Sequence, residues 1–105
     1  MEIDFRNLPV RDVRGQLVRE MEKPSLPCDI SVDLPDKIYR TTEDVRAAAL
    51  AMAIVRQPVI DLSEEDVKLL RAELERLKYF AFIKRAFEEA VEEARKITEV
   101  EPINN

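Results

Sequence analysis

Between Pro58 and Pro102 the chain contains no proline and no glycine, and inside that stretch Ser63-Glu64-Glu65-Asp66 has the form of a helix start. A serine oxygen can accept from the unpaired amides of a first turn, acids there complement the helix dipole, and Leu62 is placed to staple onto Val67. With no breaker downstream, the local code predicts one helix of about 34 residues over 64–97. The pairs Glu64/Lys68 and Glu92/Lys96 have the favourable order at four-residue spacing.

Two apolar seams run along it. Val67, Leu70, Leu74 and Leu77 are spaced 3, 4 and 3, while Phe80, Ile83, Phe87, Ala90, Ala94 and Ile97 continue at 3, 4, 3, 4 and 3. From Leu77 to Phe80 and from Phe80 to Ile83 the steps are both three, a phase slip that moves the stripe around the helix. A helix of that length spans roughly 51 Å, whereas a domain of this size has a radius of gyration near 13 Å, a diameter of roughly 33 Å. The half at about 84–97 is therefore expected to project as an oligomerisation element. Its seam, Phe80, Ile83, Phe87, Ala90, Ala94 and Ile97, is expected to lie against a second chain, with Tyr79 and Phe82 widening the stripe at the crossover.

Upstream, Ile3 and Phe5 alternate with charges, which predicts a short strand near 2–6, and Asn7-Leu8-Pro9 reads as a helix start. Val10, Val13, Leu17, Val18 and Met21 then lie on one helical stripe, predicting a helix over about 9–22 ended by Pro24 and Pro27. Cys28, Ile30, Val32 and Leu34 alternate with polar residues, predicting a strand at 28–33, and Pro35 in a turn predicts a return strand at 37–40. Thr41 or Thr42 can cap a helix at 43–56 that is apolar all round from 47 to 55, a pattern that belongs in a domain centre or against a partner. The fold class is mainly α with a minor β element, in one small domain over 1–105.

Function classes narrow by elimination. The chain has no histidine, one glycine (Gly15) and one cysteine (Cys28). Serine triads, histidine-ligated zinc, phosphate-cradling glycine loops and internal disulfides are thereby excluded. Cys28 has no histidine to activate it as a nucleophile, and it reads as a small buried residue. Asp29-Ile30-Ser31-Val32-Asp33 opens like a calcium loop, but Leu34 and Arg40 stand where glycine and glutamate are needed. Glu88, Glu89, Glu92 and Glu93 place carboxylates one turn apart, with Glu89-x-x-Glu92 at a metal-holding spacing, and a magnesium site would need matching acids from another helix.

The octet Lys78-Tyr79-Phe80-Ala81-Phe82-Ile83-Lys84-Arg85 mixes rings and cations as single-strand binders do, yet its rings are in register with the seam and acids follow at once. Arg6, Arg11, Arg14 and Arg19 are diluted by Asp12, Glu20 and Glu22. With 22 acidic and 17 basic residues, net −5, the charge balance argues against nucleic acid as a partner. No apolar run approaches the roughly 20 residues of a membrane span, and the N-terminus lacks a signal-peptide layout, so a cytoplasmic location is expected. Abundant Lys, Arg and Glu beside only five amide side chains match a thermophilic composition.

These readings predict a non-enzymatic assembly or adaptor subunit with no cofactor, self-associating through its C-terminal helix as a homodimer or higher homo-oligomer, with room for another protein partner. The alternatives are a magnesium-dependent nucleotide hydrolase using the acidic face of that helix and a subunit of nucleic-acid machinery.

Overall fold

The computed structural model describes residues 1–100, and side chains through residue 97. The order is β1 (Glu2–Asp4), α1 (Asp33–Thr41), α2 (Val45–Arg56), β2 (Val59–Asp61), α3 (Glu64–Arg76) and α4 (Ala81–Val100). It is mainly helical with one small antiparallel sheet, in which Glu2, Ile3 and Asp4 pair with Asp61, Ile60 and Val59. The partner of the N-terminal strand is thus the segment after Pro58.

The helix expected over 64–97 is two helices. α3 opens on the Ser63 capping box, reciprocated by Asp66. It ends at Leu77 because Lys78 adopts φ +58°, the left-handed conformation. The Tyr79 amide then donates to the Leu74 carbonyl and the Lys78 amide to the Glu75 carbonyl, at 3.0 and 3.1 Å, which is the Schellman closure of a helix C-terminus. Glycine usually fills this position, and a lysine here gives no breaker signal in the sequence. The phase slip at Leu77–Phe80 marks the break.

α4 returns antiparallel along α3. Glu75 meets Lys84 at 2.7 Å, Arg71 meets Glu88 at 2.6 Å and Glu64 meets Arg95 at 2.8 Å. Each pair is symmetrical about the Tyr79–Phe80 step, so the three fix the register of one αα-hairpin. The partner expected for Glu64, Lys68, is replaced by Arg95, and Glu92 also faces Arg95, at 3.8 Å. Residues 84–97 therefore lie back along α3, and the radius of gyration is 14.0 Å.

No helix forms over 9–22. Asp12 accepts from the amides of Arg14 and Gln16, and Gly15, at φ +84°, donates to the Asp12 carbonyl. Asp at the first position and glycine at the fourth specify a tight turn, and glycine inside a helix is costly, so turn chemistry outweighs the helical stripe. Val10 and Val18 are buried, while Val13, Leu17 and Met21 face solvent.

The strands expected at 28–33 and 37–40 are corrected as well. Cys28 and Ile30 do point inward, and the segment is hydrogen bonded to residues 5–8. From Asp33 onward, however, the chain is α1. Pro35 falls in its first turn, where a missing amide has no intrahelical acceptor to lose, and Asp33–Lys37 and Asp36–Arg40 brace it at four-residue spacing. The helix expected at 43–56 is α2, capped by Asp44 instead of a threonine.

The core gathers Ile3, Phe5, Leu8 and Val10 from the N-terminal segment and inward residues from all four helices, including Leu34, Ile38, Ile54, Leu70, Leu74 and Phe87. An L-residue in the left-handed region costs about 1–2 kcal/mol, against an unfolded-state entropy cost for glycine of about 0.5–1. Lys78→Gly should therefore raise stability by about 0.5 kcal/mol, and Lys78→Val should lower it by about 1–2, because a β-branched side chain is worst tolerated there. Thermal melts of the two variants should move in opposite directions.

Candidate interaction surface

The six residues expected to form an outward seam are divided by the hairpin. Ile83, Phe87 and Ala94 are buried in the chain's own core and Ala90 packs against it. Phe80 and Ile97 are exposed, but 17 positions separate them, roughly 25 Å along a helix, so they do not form one patch. The seam is covered from within the chain, by α3 and β1.

Glu88 and Glu89 of α4 are engaged by guanidinium groups. Glu88 accepts from Arg71 at 2.6 and 2.8 Å, and Glu89 from Arg11 at 2.6 and 3.0 Å. The hydrogen bonds from Arg11 hold the Glu89 carboxyl below its usual range, and those same bonds raise Arg11. Arg95 likewise lowers Glu64. Glu93 is exposed, and among the described residues no group of three or more acids, cysteines or histidines is placed to hold a metal.

Asp29 accepts from the Ser31 amide and hydroxyl, and Asp33 from the Tyr79 hydroxyl, so these two carboxylates serve a turn and a helix contact. Cys28 is buried, and burial pushes its thiol up. No helix among the described residues is long and apolar enough to cross a membrane.

Besides the scattered Val13, Leu17, Met21, Phe80 and Ile97, exposed apolar side chains gather at α1 and α2. α2 turns Ala47, Leu50, Ala51 and Ile54 inward. Its outer face carries Val45 (81 % exposed), Met52 and Val55, with half-buried Ala48 between them. Those four are spaced 3, 4 and 3, the interval of a helix seam. Beside them, a groove of about 410 Å³ runs between α2 and α1, walled by Val32, Tyr39, Met52 and Val55. The all-round apolarity of 47–55 was the signal in the sequence that pointed here: one face serves the core and the other is open.

A second concavity lies beside the start of α4. A cavity of about 960 Å³ separates the 9–15 turn from the first two turns of α4, and one of about 490 Å³ adjoins it, the two sharing Ser25 and Phe82. Exposed Phe80 stands beside Phe82, ring centroids 6.1 Å apart and planes at 25°. No family model, curated protein or solved structure matches this chain.

Proposed function

We propose that the chain is a non-enzymatic assembly subunit that self-associates, and that the contact is the outer face of α2. The observation carrying this reading is the exposed 3-4-3 seam of Val45, Ala48, Met52 and Val55.

Its occupant is a second copy. A two-fold axis across the middle of α2 sets Val45 opposite Val55 and Ala48 opposite Met52, so small residues meet large ones. The same axis brings Glu43 at one end toward Arg56 at the other; Asp44 is already held by Arg46, and Arg56 makes no ion pair among the described residues. Antiparallel pairing thus aligns apolar with apolar and acid with base. The adaptor role follows if the cavities beside the start of α4 take other ligands while this face holds the pair. The nucleotide-hydrolase alternative loses support because Glu88 and Glu89 already hold arginines at hydrogen-bond distance.

Light scattering on the purified chain tests the proposal. Wild type should run at twice the chain mass, and Met52→Glu with Val55→Glu should run at the single mass with unchanged helical circular dichroism, since both side chains are exposed. A monomeric wild type, or a dimer indifferent to both glutamates, would refute the assigned face.

A further inference from the structure

We infer that the double cavity beside Phe80 and Phe82 is a binding site for single-stranded nucleic acid. Its charge is locally opposite to that of the whole chain. The larger cavity is lined by four cations, Arg11, Arg14, Lys23 and Arg85, and two carboxylates, Asp12 and Glu89. Both acids are already satisfied: Asp12 faces Lys23 at 3.6 Å and two backbone amides, and Glu89 holds Arg11. Arg14 and Arg85 lie near these acids and help keep them ionised, yet neither makes a direct ion pair among the described residues. In the smaller cavity, Asp29 is held by Ser31 and Asp33 by Tyr79 and Lys37, whereas Lys78 has no ion-pair partner among the described residues. Three cations therefore remain for an anion.

Aromatic rings adjoin these cations: Phe82 lines both cavities and Phe80 the smaller one. Phe80 is 75 % exposed and flanked by Phe82, and no internal packing accounts for a ring left in solvent at a helix start. An exposed ring set among unpaired cations is what a strand of stacked bases and spaced phosphates requires. A concave site can concentrate local charge even where the net charge is unfavourable, so the overall −5 sets a weak background without excluding the site. This departs from the expectation drawn from charge balance, because Asp12 and Glu89, the two acids that line the larger cavity, are engaged by internal ion pairs. It does not depend on how α2 is covered.

Fluorescence anisotropy with a short labelled oligodeoxythymidylate tests it, on the full chain across a salt series. Three phosphate contacts predict a slope of log affinity against log salt of about −2. Arg14→Ala with Arg85→Ala should reduce that slope to about −0.7, the value for the one remaining contact. Phe80→Ala, at an exposed position, should leave the fold intact and weaken binding about ten-fold through lost stacking. Absence of saturable binding at low salt would overturn the inference. So would binding unaffected by Phe80→Ala, and so would polyglutamate competing as well as the oligonucleotide, which would identify an acidic protein partner.

Discussion

Replacing Phe87 by alanine should remove about 3–5 kcal/mol of stability, and replacing it by glutamate should leave no cooperatively folded chain. Phe87 is completely buried and stacks on Phe5 with ring centroids 6.2 Å apart and planes at 29°. The loss has two parts, the transfer of a large ring to water and the cavity left between α4 and the N-terminal segment. An aromatic pair adds about 0.5–1.5 kcal/mol beyond burial, so Phe5→Ala and Phe87→Ala together should cost less than their separate costs combined. A domain of this size holds only about 5–15 kcal/mol in all, which an unpaired carboxylate at this position would exhaust. Urea melts of the alanine variants and circular dichroism of the glutamate variant give the readouts. A Phe87→Glu chain that stays folded and merely changes mass would mean that α4 rests on a neighbouring molecule and not on its own.

The helical bias, the Ser63 cap, the N-terminal strand and the second helix were legible because each rests on local chemistry: a hydroxyl before acids, alternation beside a turn, an alanine-rich run. What was not legible is the bend, because the residue that makes it is a lysine. Nothing in the identity of Lys78 announces a left-handed backbone. Two weaker signals were present. One is the change of seam phase at Leu77. The other is the mirror arrangement of charge about the Tyr79–Phe80 step, in which Glu75 and Lys84, Arg71 and Glu88, and Glu64 and Arg95 are equidistant from the bend and opposite in sign. A continuous helix would leave these pairs up to 31 residues apart, so their complementarity has meaning only for a hairpin.

In the region 9–22 two local signals compete: Asp12 and Gly15 announce a turn, and the helical spacing of the apolar residues conceals it. The surface was half legible. An all-apolar α2 implied something beyond a core face, but whether α2 or the C-terminal helix stayed uncovered depended on the hairpin. Once α4 folds back, its grease is spent inside the chain and that of α2 remains.

The bend is also where chemistry should be readable by pH. Tyr79→Ala should cost about 2–4 kcal/mol and Tyr79→Phe about 1, the hydroxyl's share being discounted because Asp33 is half exposed. Tyr79 closes α3 through its backbone amide, and its side-chain hydroxyl donates to Asp33 at 2.6 Å while the Lys37 ammonium lies 4.9 Å from the ring centroid. Lys37 also pairs with Asp33 at 3.2 Å, so one triangle of groups ties the bend to the first turn of α1. Burial first, and then the hydrogen bond to the Asp33 carboxylate and its charge, raise the phenol far above its usual range.

The sign of the linkage follows from that rise. The unfolded chain gives up this proton near pH 10 and the folded chain keeps it, so the tyrosine's contribution is complete below about pH 10 and is lost as pH climbs beyond it. Wild type should therefore exceed Tyr79→Phe in stability at neutral pH, and the gap should narrow in urea melts taken at about pH 11. A gap constant across that range would show that the hydroxyl titrates alike in both states and is not held by Asp33. In that case the hairpin would owe its position on α1 to ring packing alone.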